Sequence, residues 1–396
     1  MQVPPFSLSK QLAELGPELD SAVLRILRSG HYIGGQEVRA FEESFAKSIG
    51  VAHSVSCNSG TDALILALRA LDIGHGDEVI TSSFSFFATA EAISAVGAKP
   101  VFVDVDLRNF LIDINEIEKA INSATKAILP VHLFGCPVNM QQLMLLARKN
   151  NLKVIEDCAQ ASGASWAGRS VGSWGDVGCF SFFPTKNLSA AGDGGAVTTE
   201  DFELAKRMRE LAVHGMPRRY LHTQLGYNSR LDAIQAAVLN LKLPKLDSWI
   251  QKRRSAAETY KQLLDGLPGL ILPNLNKEEE CHSYNQFVIR VVSSSSYETL
   301  PKNLYGQLEK ISDGEFSGNN SRDSLKEELN NKGVNTIIYY PIPIHLQPAY
   351  KELDYPLGSL PITEKLSMEV LSLPMFPEIS REDQEYVASS IRNLLS

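Results

Sequence analysis

A lysine, a hydroxyl and a carboxylate stand in two short motifs, Ser181-Phe182-Phe183-Pro184-Thr185-Lys186-Asn187 and, upstream of it, Glu156-Asp157-Cys158-Ala159-Gln160. Lysine supplies the primary amine that can hold an aldehyde as an imine, provided burial or neighbours overcome its usual pKa of about 10.4. A cofactor used as an electron sink also needs its ring nitrogen kept protonated, which a nearby carboxylate does by pairing with it. Lys186 and Asp157 suit these two tasks, and together they describe the needs of a pyridoxal phosphate enzyme. Asp157 ends the apolar run Val154-Ile155-Glu156, so it projects from the carboxyl edge of a strand, where open α/β sheets bind ligands.

Each residue also has a plainer reading. A lysine after a Pro-Thr turn is ordinarily a solvated surface charge, and an aspartate after a strand is ordinarily a cap or turn former. Their combination shifts the balance. Ser181 sits in the apolar run Cys179-Phe180-Ser181-Phe182-Phe183, where a hydroxyl needs a partner that a phosphate oxygen would supply. Asn58-Ser59-Gly60-Thr61-Asp62-Ala63-Leu64 is a small polar turn running into an amphipathic helix; it is a capping sequence, and equally a phosphate cradle at a helix N-terminus.

In Thr81-Ser82-Ser83-Phe84-Ser85-Phe86-Phe87-Ala88-Thr89, three aromatic rings follow a strand among hydroxyls. Such rings usually belong to a core, but a planar pyridine needs one face covered, and Phe86 is the ring we assign to that task. Gly226-Tyr227-Asn228-Ser229-Arg230-Leu231-Asp232 offers a side-chain amide, Asn228, placed to donate to an anion; Arg230 and Asp232 read equally well as an ion pair at a helix start. The eight histidines have no metal-binding spacing, so no metal site is expected. His345 lies in a rigid, aromatic and Pro-rich loop, 339–347, that would suit a substrate pocket.

The elements that must position these groups alternate between 50 and 200. Strands are predicted at 78–82, 100–105, 127–131, 153–157, 177–182 and 195–199, with helices at 61–71, 113–121 and 138–149 between them, the pattern of βαβ units around a mainly parallel sheet. Helical segments then run from 230 to about 264, broken at Pro244. A smaller α/β unit follows, with a strand at 286–292, a helix at 322–332, a strand near 335–340 and a closing helix at 381–395. Residues 293–320 are rich in Ser, Asn, Gly and charge and too long for an ordinary connection, so they read as an inserted loop, with a short helix at 304–311. The expected division is a large domain, 1–245, and a small C-terminal domain, 246–396.

The chain of 396 residues carries a net charge of −8 and no basic run denser than Lys252-Arg253-Arg254, which disfavours nucleic acid as a partner. Five cysteines without a C-x-x-C pair argue against a disulfide framework and a zinc ribbon, and fit a reducing compartment. The N-terminus has neither the basic nor the apolar region of a signal peptide, and no apolar run approaches a membrane span. A cytoplasmic protein without membrane contact is expected.

Taken in order, Ser-Gly-Thr-Asp-Ala-Leu at 59–64, Glu-Asp-Cys-Ala-Gln at 156–160, Phe-Ser-Phe-Phe-Pro-Thr-Lys-Asn at 180–187, Gly-Asp-Gly-Gly-Ala at 192–196, Gly-Tyr-Asn-Ser-Arg-Leu-Asp at 226–232 and His-Leu-Gln-Pro-Ala-Tyr at 345–350 resemble the motif series of the DegT/DnrJ/EryC1/StrS sugar aminotransferases. The resemblance covers nearly the whole chain. It implies a fold type I, aspartate-aminotransferase-like homodimer that uses pyridoxal 5′-phosphate to move an amino group, usually from glutamate, to a keto group of a nucleotide-linked sugar. It further implies that Lys186 is the imine lysine and proton shuttle, that Asp157 pairs with the pyridinium nitrogen, and that Gln160 contacts the ring or its hydroxyl. Phe86 takes the stacking position, Gly60, Thr61 and Ser181 bind phosphate, and Asn228 reaches the phosphate held by the other subunit. Tyr32, Arg230 and His345 are the candidate substrate contacts.

Two departures bear on this reading. The 293–320 insertion looks longer than the family's usual connection, and some relatives replace the lysine with histidine and dehydrate a sugar instead. Lys186 is present here, which favours transamination over the rivals, a cofactor-dependent sugar dehydratase and a regulatory protein on the same fold. The expected substrate is a dTDP- or UDP-linked deoxy sugar, with a 3-keto group preferred over a 4-keto group, in polysaccharide or cell-surface sugar biosynthesis.

Overall fold

Alternate residues of the central strands are buried in opposite cores, and this organises the molecule. A computed structural model describes residues 1–273, 280–292 and 321–395. The main sheet has seven strands, β1 (His53–Cys57), β2 (Glu78–Ser82), β3 (Lys99–Val103), β4 (Thr125–Leu129), β5 (Lys153–Asp157), β6 (Val177–Ser181) and β7 (Gly195–Thr199), in the spatial order β1-β7-β6-β5-β4-β2-β3. All neighbours from β6 to β3 pair in parallel, while β7 runs antiparallel to both β1 and β6. Ile80, Ile128 and Val154 face one hydrophobic core, and Val79, Ala127, Leu129 and Ile155 face another. Burial on both faces is why these strands read as short apolar runs rather than as clean alternation.

Helices cover the two faces. In the helix Gly60–Ala70, Ser59 caps the N-terminus by accepting a hydrogen bond from the Asp62 N–H at 3.1 Å, and Leu64, Leu66, Ala67 and Leu68 are buried. The helix Ser9–Ser29 bends at Gly16, whose φ of 44° is non-helical, immediately before Pro17, which cannot continue an upstream hydrogen-bond ladder. A second sheet has three antiparallel strands, β8 (Leu270–Ile271), β9 (Phe287–Val291) and β10 (Val370–Leu373), in the order β8-β9-β10. The helices Leu246–Leu264, Ser321–Asn331 and Arg381–Leu395 adjoin it and share its core through Tyr260, Leu325 and Ile391.

The predicted βαβ alternation is present. Differences lie where local signals are weak. β1, the sequence His-Ser-Val-Ser-Cys, was not expected as a strand, because its polar alternates mask it until β7 pairs with it. The segment 335–340 is rich in β-branched and aromatic residues but forms only an isolated bridge, Ile337 to Ser372; the third strand of the small sheet is instead β10, a four-residue stretch directly after a helix. The predicted insertion at 293–320, with its short helix at 304–311, lies outside the described residues.

Candidate active site

The chemistry-bearing residues meet at one edge of the main sheet. Asp157 ends β5, Ser181 ends β6, the turn 58–60 leaves β1, and the segment 83–89 leaves β2. Parallel strands deliver their following loops to the same carboxyl edge. Because β7 is antiparallel, it brings its first residue, Gly195, opposite both Cys57 and Ser181. A side chain at Gly195 would strike the Ser59 carbonyl, which explains the glycine at this position.

Asp157 is 4% exposed. Its Oδ1 accepts from the Ala159 N–H at 3.1 Å and its Oδ2 from the Thr89 hydroxyl at 2.9 Å. Burial raises its pKa, against the pull of those two donors and of Lys186 and His132. Lys186 is partly buried, and loss of hydration lowers its pKa to about 8, against the attraction of Asp157. Its amine makes no hydrogen bond or ion pair among the described residues. The loop around it is pinned by backbone bonds, Lys186 N–H to Phe183 O at 2.8 Å and Ala190 N–H to Phe182 O at 2.7 Å, and by the buried Asn187 amide, which donates to the Ser162 and Ser283 carbonyls.

Gly60 packs directly on Ser181: a Cβ at Gly60 would lie 2.6 Å from Ser181 Cβ. Among the described residues, the Ser181 hydroxyl accepts only a long bond from the Phe183 N–H, at 3.4 Å, and donates none. Thr61 stands in the first turn of the same helix. Gln160 is buried; its Oε1 accepts from the Phe134 N–H at 2.7 Å and its Nε2 donates to the Tyr340 hydroxyl at 2.9 Å, leaving one amide hydrogen unspent. Phe86 is 58% exposed, with its ring centroid 6.2 Å from that of Tyr340, whose hydroxyl is the partner of Gln160.

Asn228 is exposed, and its Oδ1 accepts from Arg230 Nη2 at 2.5 Å. The adjacent Ser229 is buried and donates to Asn58 Oδ1 at 3.2 Å, which ties the 226–232 segment to the turn that precedes Gly60. Tyr32 is half-exposed and donates to the Leu27 carbonyl; its own carbonyl accepts from Ala233 N–H, and Ile33 bridges Asp232, so Tyr32 and Arg230 come from adjoining segments.

His345 is placed differently from the expectation of a substrate contact. It is 1% exposed, its Nδ1 lies 2.6 Å from the Ser83 hydroxyl, and its Nε2 lies 3.2 Å from Glu364 Oε1. Its backbone N–H also donates to Ser83 Oγ at 3.0 Å, so the serine proton goes to Nδ1 and the ring donates to Glu364. With both nitrogens engaged inside the protein, the ring fastens 83–89 to the C-terminal part of the chain and has no polar atom left for a ligand.

Three residues near the site were not foreseen. Thr89 and Tyr340 carried no motif signal beyond sitting in hydroxyl- and aromatic-rich stretches. The third, His132, is fully buried: its Nδ1 accepts from Val138 N–H at 3.0 Å, so its Nε2 carries the proton and donates to Glu156 Oε2 at 3.0 Å. Glu156 also accepts from the N–H groups of Gly172, Trp174 and Gly175 at 2.8–2.9 Å. His132, Glu156 and Cys158 could geometrically surround one ion, but the histidine and carboxylate are already committed to hydrogen bonds that brace the end of β5.

The donor set fits pyridoxal 5′-phosphate on its own terms. An unpaired amine of lowered pKa faces a buried carboxylate that keeps spare lone pairs, and a small-residue turn with an available serine hydroxyl opens at a helix N-terminus.

Comparison with known proteins agrees in kind. The model of the DegT/DnrJ/EryC1/StrS aminotransferase family matches residues 14–312 and 313–392. The chain is 46% identical over 393 residues to a UDP-N-acetyl-3-dehydro-alpha-D-glucosamine 3-aminotransferase of Acidithiobacillus ferrooxidans, covering 99% of this chain and 98% of that one. It is 43% identical over 392 residues to a pleiotropic regulatory protein of Geobacillus stearothermophilus, again covering 99% and 98%. Its fold matches the crystal structure of S. venezuelae DesV in complex with a ketimine intermediate, with a TM-score of 0.89 at 41% identity over 99% of this chain and 98% of that one.

Proposed function

Because the chain belongs to the DegT/DnrJ/EryC1/StrS aminotransferase family, and is thus a pyridoxal 5′-phosphate-dependent transaminase of nucleotide-linked sugars, we propose that Lys186 and Asp157 perform its chemistry on a 3-keto sugar carried by UDP or dTDP. The observation that carries the assignment is the pairing itself: an amine whose pKa is lowered to about 8, within electrostatic reach of a buried carboxylate at the carboxyl edge of the sheet. The preference for a 3-keto group rests on the Acidithiobacillus relative, whose name specifies amination at that position.

Bound pyridoxal 5′-phosphate supplies an electron sink for the charge left when an α-hydrogen departs as a proton. Lys186 would hold the cofactor through its amine, and once free that amine, its pKa lowered to about 8 by burial, would be suited to hold a proton and move it between the donor α-carbon and cofactor C4′. Asp157 would keep the ring nitrogen protonated by pairing with it. Gly60, Thr61 and Ser181 would take the phosphate through backbone and hydroxyl donors, Phe86 would cover one ring face, and Gln160 would offer its unspent amide hydrogen to a ring substituent. We assign glutamate as donor, a homodimer in which Asn228 completes the phosphate site across the subunit boundary, and a cytoplasmic setting; among the described residues, no helix is long and apolar enough to cross a membrane.

The test is a half-reaction. Incubated with L-glutamate alone, the holoenzyme is expected to release one equivalent of 2-oxoglutarate and pass to the pyridoxamine form, and Lys186→Ala to do neither. A Lys186→Ala protein that transaminates normally would refute the assignment, and a wild type inert toward all amino donors would favour a regulatory role such as the Geobacillus relative's name describes.

A further inference from the structure

Two hydroxyls lie in the interior between the end of β2 and Asp157. Ser85 is 4% exposed and Thr89 is 1% exposed. Thr89 Oγ1 is 2.9 Å from Asp157 Oδ2, and Ser85 Oγ is 2.8 Å from Thr89 Oγ1. Hydrogen counting sets the direction of this chain. The carboxylate has no proton to give, so Thr89 spends its single hydroxyl hydrogen on Asp157, and Ser85 must then donate to Thr89. A threonine in a helix commonly turns its hydroxyl back to the carbonyl four residues earlier. Here the residue four earlier presents its own hydroxyl, and the threonine proton is directed to the carboxylate.

We propose that Thr89, backed by Ser85, is the positioning residue that orients Asp157 toward the cofactor ring nitrogen and keeps it ionised; the inference rests on the assignment of Asp157 given above. With one protein donor on each oxygen, from Thr89 and from Ala159, the carboxylate has a fixed rotamer and retains a lone pair on each oxygen. Both features are needed. A carboxyl group buried in this way is driven toward its neutral form, and a neutral acid does not hold a cationic ring. Hydrogen bonds to the charged form oppose that drift, and bonds to charged groups are stronger than neutral ones. The same bond ties the helix Ala88–Ala95 to β5, so Phe86, just upstream of that helix, is set relative to Asp157 by the relay.

The inference is tested by retention of pyridoxamine 5′-phosphate, measured by equilibrium dialysis of purified Thr89→Val, Thr89→Ser and Asp157→Asn proteins, with denaturant stability of each apoprotein alongside. Thr89→Val keeps the shape and removes the donor. It is expected to hold the cofactor about tenfold more weakly, in an apoprotein that is somewhat less stable but still folds cooperatively, and Thr89→Ser is expected to recover retention to within about threefold of wild type. Wild-type retention by Thr89→Val overturns the proposal, as does a Thr89→Ser protein as weak as Thr89→Val, because the methyl contact would then be what matters. If Asp157→Asn loses the cofactor while Thr89→Val retains it, the relay fails and the Asp157 assignment stands. If Asp157→Asn also retains it, the assignment itself is refuted.

Discussion

Replacing Lys186 by methionine should make the cofactor-free protein more stable at neutral pH, although it removes the reactive group. Burial lowers the Lys186 pKa from 10.5 to about 8, so the folded state at pH 7 carries a charge in surroundings that disfavour it. The unfolded chain keeps the ordinary value. Between pH 8 and 10.5 the unfolded state binds a proton that the folded state has released, so the penalty is full below 8, shrinks as pH rises and is gone above 10.5. A shift of about 2.5 units at 1.36 kcal/mol each gives a ceiling of about 3 kcal/mol. Lys186 retains some contact with solvent, so roughly 2 kcal/mol is the expected gain. Urea unfolding of wild-type and Lys186→Met apoproteins at several values between pH 7 and 10.5 measures it. The two stabilities should converge toward the alkaline end, and comparison with wild type cancels the similar titration of the buried Lys242, whose pKa is also lowered to about 8. A mutant less stable at pH 7, or two curves that stay parallel, would show that the surroundings of Lys186 do not disfavour its charge.

Three further substitutions separate structure from chemistry. Gly60→Ala places a methyl 2.6 Å from Ser181 Cβ and 3.2 Å from its Cα, so the helix must move off β6; a loss of about 1–3 kcal/mol in urea unfolding is expected, together with poor cofactor retention, and a variant normal in both would remove the close contact as the reason for glycine. Phe86→Ala trims an exposed ring, so apoprotein stability should stay within about 0.5 kcal/mol while cofactor dissociation rises several-fold; unchanged dissociation would count against Phe86 as the stacking face. Glu156→Gln replaces an acceptor of four N–H groups by one with a competing amide, and a loss of about 3 kcal/mol is expected by denaturant unfolding; a near-neutral result would mean that the end of β5 is braced elsewhere.

Much of the large sheet is legible because its signals are local. Short apolar runs separated by amphipathic segments leave few alternatives to βαβ units, and four of the seven strands match predicted runs closely, while β3 and β4 are displaced by one or two residues. The exceptions are instructive. β1 is half polar and becomes a strand through its pairing with β7, and the attractive run 335–340 forms only the bridge of Ile337 to Ser372, while its Tyr340 hydroxyl accepts from Gln160. The same division holds at the site. Lys186, Asp157 and Ser181 each have an ordinary reading alone and point to a ligand only in combination, whereas Thr89 reads as one hydroxyl among several, and His345 reads as a pocket residue until Ser83 and Glu364 close on it from segments far away in sequence.

The sequence by itself determined which functional groups the protein owns and that they follow strands, since side-chain chemistry and hydrophobic periodicity are local properties. Only the tertiary structure decided which hydroxyl meets Asp157, how far the Lys186 amine is stripped of water, and which histidine is spent on packing. These depend on burial and on contacts between segments distant in the chain, and pKa and hydrogen-bond partnership are set by surroundings that no short stretch of residues contains.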